Sequence, residues 1–313
     1  MAEKNIDLLV IGELNVDLIL TGTDLVPRFG QAEQLVEDAV LALGSSSAIL
    51  ACGASRLGLK VAFAGEIGPD EFGSFVLRQL EQRGVDIAGV HIDPAGKTGL
   101  TLGLSLPHDR SMLTFPGTMA SFSGSKIPAG LVRQARHVHM SSYFLQPGVQ
   151  PFIPDLFANA HLSGATTSLD PGWDPVEGWS SGLMEALRQV DIFLPNEREA
   201  MAIARKDSCE QALEFLAGIV PLVVIKRGGR GALACEQGKT CAVPVFPVTP
   251  VETTGAGDNF NAGFLYARLV GLSLPECLRW GSACGALATL QAGGLDGQRN
   301  AEGVQRWIAE QEQ

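Results

Sequence analysis

The chain has no Lys/Arg-rich run anywhere in its 313 residues. Acids outnumber bases, 34 against 23, for a formal net charge of -11. Nucleic acids and anionic membranes are therefore not expected as partners, because both bind basic surfaces. The acidic balance leaves small phosphorylated ligands open, since a few helix N-termini and a bound metal ion make the potential locally positive. No stretch approaches the ~20 apolar residues of a membrane span. The N-terminus, MAEKNIDLLVIG, carries acids and only a short apolar run, Leu8 to Ile11, unlike a signal peptide. A cytoplasmic protein is expected. The six cysteines, at 52, 209, 235, 241, 277 and 284, form no CxxC pair, so no zinc site is expected. Cys235 and Cys241 flank a hairpin turn expected at 236–239. A reducing cytosol favours two half-buried strand thiols there over a disulfide. No GxGxxG follows the first apolar run, which argues against a dinucleotide oxidoreductase. Repeats and low-complexity segments are missing too.

What the chain does have is core and punctuation. Hydrophobic residues make up 46% of it, and 37 glycines and 17 prolines are spread along its length as in many tight turns. Short apolar runs predict strands at 6–12, 61–68, 137–143, 166–170, 191–196, 221–229 and 241–248. Amphipathic patterns between them predict helices, the first at 45–57, opened by capping serines, the next at 71–83. Alternation of this kind means an α/β fold with a central, mainly parallel sheet flanked by helices. Residues 18–42 and 89–116 break the rhythm with turn-rich, period-two segments. We expect one domain over 1–313, in which these two stretches build a small β-sheet lid. If its outer face is apolar, the lid is a candidate homodimer interface.

The strongest chemical signal is VETTGAGDNFNAGF (251–264). The small residues Gly255, Ala256 and Gly257 let backbone approach a ligand closely, and their amides sit where a helix starts and donors lack partners. That geometry favours an anion. Asp258 at the same place would repel a bound phosphate. It makes sense as a base taking a proton from a hydroxyl that attacks a phosphoryl group. Read alone, it is equally a helix-capping acid.

TTGAGDNFNAGF closely resembles the C-terminal signature of the PfkB (ribokinase-like) carbohydrate kinases. GELNVD (12–17), LGSSSAILACGASRLG (43–58), GEIGPDEFG (65–73), NEREA (196–200) and KRGGRGA (226–232) resemble the family's other motifs, in order and over nearly the whole chain. The resemblance implies a ribokinase-like fold and transfer of a phosphoryl group from ATP, with Mg2+, to a hydroxyl of a sugar or polyol. Asp258 is then the base, and the amides around Gly255, Ala256 and Gly257 the anion hole. Asn15, Asp17, Gly44 and Ser45 border the sugar, with Arg110 reaching it from the lid. Asn196 and Glu199 organise Mg2+ and phosphates, Glu199 through water, and Lys226, Gly228 and Gly231 border the nucleotide. Each has a plainer reading. Asn196 and Glu199 have capping-box spacing. Glu13, Asn15 and Asp17 share one strand face and need polar partners of some kind. Lys226 reads equally as a solvated loop residue, Arg110 as a surface charge, and Asp170, before Pro171, as a turn initiator. His137 and His139 share a face but have no third ligand nearby, so they are not read as a metal site.

The sequence departs from the family at three points. Ser45 stands where a second glycine is usual. Ile49 replaces an Asn that binds a sugar hydroxyl, so Ser45, Ser46 or Ser47 would have to supply one. Glu252 replaces the Asp that in many members helps hold a monovalent cation, which leaves that cation open here. No Lys lies within 44–48, which leans the substrate towards an unphosphorylated sugar or polyol. Two other functions stay in view. One is a nucleoside kinase of the same superfamily, with Ile49 packing on a base. The other is a catalytically silent sugar-binding regulator, which would have no need of Asp258.

Overall fold

The computed structural model describes residues 4–106, 110–291 and 293–311. In chain order the strands are β1 (Ile6–Ile11), β2 (Asn15–Thr21), β3 (Asp38–Leu43), β4 (Val61–Ile67), β5 (Asp86–Ile92), β6 (Gly99–Ser105), β7 (Arg110–Phe115), β8 (Ala135–Met140), β9 (Thr166–Leu169), β10 (Ile192–Phe193), β11 (Leu222–Lys226), β12 (Ala232–Glu236) and β13 (Lys239–Val243). The helices of eight residues or more are α1 (Ser46–Leu57), α2 (Glu71–Gln82), α3 (Ile153–Leu162), α4 (Glu197–Ala204), α5 (Cys209–Ala217), α6 (Ala256–Leu269), α7 (Leu274–Ala288) and α8 (Ala301–Glu310). None is long and apolar enough to cross a membrane.

Nine strands form the main sheet, in the order β13-β12-β11-β10-β9-β8-β1-β4-β5. All pairings from β11 through β5 are parallel, and only β12 runs against the rest, antiparallel to both β11 and β13. A sheet covered by helices on both faces needs strands that are apolar on both sides. In β1, Leu8 and Val10 enter the core that holds α1 and α6, while Leu9 and Ile11 enter the core that holds α3 and α5. Helices α1 and α6 cross closely because Gly53 has no side chain: a Cβ there would lie 3.0 Å from that of Ala262. The loops after β1, β9, β10 and β11 all leave the carboxyl edge of the sheet, where open α/β sheets bind ligands.

The separate small sheet is present, four-stranded, in the order β3-β2-β6-β7. Its extent differs from the expected stretches. β2 starts at Asn15, and β5 belongs to the main sheet, where it pairs with β4, so the second small-sheet segment begins at Gly99 rather than at 89. Strand expectations also shorten: 137–143 ends at Met140 and 221–229 at Lys226, and two others stop at prolines. The ladder expected over 191–196 holds only Ile192 and Phe193, with an isolated bridge from Asn196 to Lys226, because Pro195 has no N–H to give. The strand expected at 241–248 stops at Val243, ahead of Pro244 and Pro247. Cys241 pairs with Ala234 and Cys235 with Thr240, and all six cysteines are free.

Candidate active site

Gly255 caps α6 in the left-handed conformation, φ 72 and ψ 0, which glycine adopts without steric cost. The first helical hydrogen bond runs from Asn259 N to the Gly255 carbonyl, 2.9 Å. The amides of Ala256, Gly257 and Asp258 therefore precede the ladder. That of Ala256 makes a long contact with the Thr253 carbonyl, 3.3 Å, and those of Gly257 and Asp258 have no backbone acceptor among the described residues. The amide of Asp258 itself was not singled out from sequence. Phe260, Phe264 and Ala267 are buried on the inner face of α6, as its periodicity predicts, and fix its start against the sheet edge.

The Asp258 carboxyl is pushed up to about 7, by burial first and by the Asp170 charge second; Lys226 and a hydrogen bond from Ser46 work the other way. Glu199 is likewise raised to about 7, by burial and then by Asp170. Asp170 and Lys226 form the charged floor between them. Lys226 Nζ lies 2.6 Å from Asp170 Oδ2 and 3.3 Å from Asn261 Oδ1, and Asn261 Nδ2 lies 2.6 Å from the same Asp170 oxygen. Burial opposes ionisation of Asp170, but Lys226, with hydrogen bonds from Gly172 N and Asn261, outweighs it and holds that carboxyl below its usual range. Burial likewise opposes the charge on Lys226, and Asp170 with Glu199 outweighs it. Lys226 is thus no solvated loop residue. Its ammonium lies 3.7 Å from where a Cβ on Gly257 would stand. Asp170 does initiate the turn, accepting from Gly172 N at 3.0 Å, and holds Lys226 with its other oxygen.

Asn196 and Glu199 make the capping box. Glu199 accepts from Asn196 N at 2.8 Å and from Asn196 Nδ2 at 2.6 Å. One ammonium among three carboxylates, Asp170, Glu199 and Asp258, leaves surplus negative charge that suits a divalent cation. Among the described residues, no group of three or more metal-ligating side chains is arranged as a cage. That fits Mg2+, which keeps its waters and binds through one or two carboxylates together with phosphates. Gly228 and Gly231 lie in the turn after β11, both at positive φ, and a Cβ on Gly231 would meet the Val243 carbonyl at 2.1 Å. Their need for glycine is met by the hairpin itself.

On the other side of Asp258, Asn15 and Asp17 share a face of β2. Asn15 Nδ2 donates to Asp17 Oδ1 at 3.0 Å and to Thr101 Oγ1 at 3.3 Å. Gly44 lies under this pair: a Cβ there would be 2.3 Å from Asp17 Oδ1 and 2.4 Å from Asn15 Nδ2. The three serines then divide the work. Ser45 accepts from Ala48 N at 2.9 Å and donates to the Glu13 carbonyl at 2.5 Å, so its hydroxyl caps α1. Ser47 donates to the buried Glu13 carboxylate, which also accepts from Ser142 at 3.0 Å. Ser46 is left facing Asp258. Ile49 packs against the turn, 3.3 Å from where a Cβ on Gly255 would be. Arg110 opens β7, but its side chain lies outside the described residues. Both ring nitrogens of His137 and of His139 bond hydroxyls, in a buried chain through Thr166, Ser168 and Ser141.

Comparison with known proteins gives the family. Residues 5–300 match the pfkB family carbohydrate kinase family. An ATP-dependent ribose-1-phosphate kinase of Halopiger xanaduensis is 30% identical over 296 residues, 93% of each chain. A 5-dehydro-2-deoxygluconokinase of Geobacillus thermodenitrificans is 26% identical over 98% of this chain and 94% of its own. A putative ribokinase II from E. coli, solved in complex with ATP and Mg2+, superposes with a TM-score of 0.85 at 24% identity, over 97% of this chain and 99% of that one. The chain belongs to the pfkB family of carbohydrate kinases and is an ATP-dependent sugar kinase.

Proposed function

We propose that the enzyme transfers the γ-phosphoryl group of ATP to a hydroxyl of an unphosphorylated sugar or polyol, with Asp258 as general base. One observation carries this reading. The Asp258 carboxyl, with the Ser46 hydroxyl beside it, shares the first turn of α6 with amides that precede the helical ladder. The substrate oxygen attacks the γ-phosphorus, its proton passes to Asp258, and the bond to the β–γ bridging oxygen breaks with its electron pair leaving on ADP. The amides of Gly257 and Asp258, with Lys226 behind them, stabilise charge on the transferring oxygens. Mg2+, when bound with the nucleotide, neutralises phosphate charge; Glu199 and Asn196 would hold its waters. Asn15, Asp17 and Ser46 orient the acceptor, and the small sheet closes over it to exclude water.

The absence of Lys from 44–48 and the Ser46 hydroxyl beside Asp258 favour an unphosphorylated acceptor. An ADP-release panel tests this: ribose, fructose, 5-dehydro-2-deoxygluconate, ribose 1-phosphate and adenosine, each with Mg-ATP. Turnover restricted to the unphosphorylated sugars supports the reading. Turnover only with ribose 1-phosphate or adenosine overturns the substrate class. Binding of a sugar with no ADP released from any acceptor overturns the enzyme reading.

The small sheet carries one further proposal, a homodimer. Registers place Leu41, Leu18, Leu102 and Leu113 in one row across its four strands, with Leu41 and Leu113 exposed by 41% and 59%. A contiguous apolar row is a candidate interaction surface, and pairing with a second copy would cover it.

A further inference from the structure

The phosphate-binding turn is held from behind by a buried amide pair with no part in the chemistry just described. Asn259 follows the base and is 2% exposed. Its Nδ2 donates to the Gly255 carbonyl at 2.9 Å and to the Gly294 carbonyl at 2.7 Å. Its Oδ1 accepts from Gln298 Nε2 at 3.0 Å, and the same nitrogen donates to the Ile49 carbonyl of α1 at 3.0 Å. A second tie joins the same two loops: Gly293 N donates to Glu252 Oε2 at 2.8 Å.

The helix opposite is shaped to receive the pair. Gly53 lies in the interior of α1, where glycine costs about 1 kcal/mol relative to alanine. A Cβ there would stand 3.2 Å from both Asn259 Oδ1 and Gln298 Nε2. An unfavourable helix residue is thus kept where the amide bridge passes.

We propose that Asn259, locked by Gln298, is a positioning residue that aims the amides of the anion hole. The reason is the planarity of the peptide group. The Gly255 carbonyl that Asn259 holds belongs to the same rigid plane as the Ala256 N–H. Gly255 has the softest backbone in the turn, and its left-handed conformation has no side chain to hold it. Fixing that carbonyl from behind fixes the first turn of α6, and with it the direction of the Gly257 and Asp258 donors. A donor is useful to a developing oxyanion only if it is aimed before the reaction. Asn259 is buried, and its side-chain bonds go to the Gly255 and Gly294 carbonyls and to Gln298, so it acts through the backbone of the turn.

This inference rests on the anion-hole reading of Gly255 to Asp258, and the test separates the two. The probe is ADP with Mg2+ and aluminium fluoride, which imitates a phosphoryl group in transfer, against ADP with Mg2+ alone. Binding is read by calorimetry on the whole protein. The wild type is expected to bind the fluoride-loaded nucleotide at least 100-fold more tightly. Asn259→Ala and the isosteric Asn259→Asp are expected to lose about 10- to 100-fold of that gain, while ADP alone stays within threefold. The same variants lose kcat with KM for ATP unchanged. Gln298→Ala, whose side chain is only half-buried, shifts the gain the same way by less, and serves if the Asn259 variants do not fold. No gain in the wild type overturns the anion hole, and this proposal with it. A full gain in both wild type and variants overturns the proposal alone. Equal weakening of both nucleotides, with a lower melting temperature, makes Asn259 merely structural and also overturns it.

Discussion

The acid limb of the pH–rate profile is the sharpest consequence of the charge cluster. A general base must be ionised to accept a proton, so kcat/KM follows the ionised fraction of Asp258 in the free enzyme. An ordinary aspartate, near 3.8, is more than 99% ionised at pH 6. With its carboxyl near 7, roughly one molecule in eleven is ionised there, by simple titration. Turnover at limiting sugar should therefore fall about tenfold from pH 8 to pH 6. Glu199 titrates in the same range, so the midpoint belongs to the pair, and the limb steepens if both must be ionised. The informative perturbation is Asp170→Asn. After burial, Asp170 is the largest cause raising both groups, and removing its negative charge makes each easier to ionise. Lys226, freed of its partner, adds to that pull. The limb should then move to lower pH, so that the variant keeps a larger fraction of its own plateau rate at pH 6 than the wild type does. ADP release measured from pH 5 to 9 at limiting sugar and saturating Mg-ATP reads this directly. A flat wild-type profile down to pH 5, or a limb that moves to higher pH in Asp170→Asn, would refute the electrostatic reasoning.

Other outcomes follow from the same contacts. Gly44→Ala pushes a methyl into Asn15 and Asp17, so KM for the sugar should rise at least about tenfold while KM for ATP holds. Lys226→Met leaves Asp170 buried without its ion-pair partner, which should cost about 3–5 kcal/mol of stability and show as a lowered midpoint in urea. Leu102→Glu with Leu113→Glu puts charge in the apolar row of the small sheet and should halve the solution mass measured by light scattering; an unchanged mass argues against that interface.

Much of this site was legible in the sequence because its parts are local. GAGD lies within one turn, and the capping box of Asn196 and Glu199 spans four residues. The period-two segments announced the small sheet, since alternation is written residue by residue. What was not legible depends on long-range closure. Asp170, Lys226 and Asn261 meet across separations of 56, 35 and 91 residues, and nothing near Asp170 tells a turn former from the partner of a buried lysine. The triple serine shows the same limit. All three hydroxyls look alike in sequence, and only the packing of α1 under Glu13 uses Ser45 and Ser47 in structural bonds and turns Ser46 to the base. The shortened strands are a different failure. Their apolar content outweighed Pro195 and Pro244, whose missing N–H groups end the ladders.

The central claim is that Asp258 takes the acceptor's proton, and replacing one carboxylate oxygen tests it most directly. With an accepted sugar and saturating Mg-ATP, Asp258→Asn should lose turnover by about a thousandfold or more, while its affinity for ATP, measured by calorimetry, stays close to that of the wild type. Turnover within tenfold of the wild type in that variant would contradict the account.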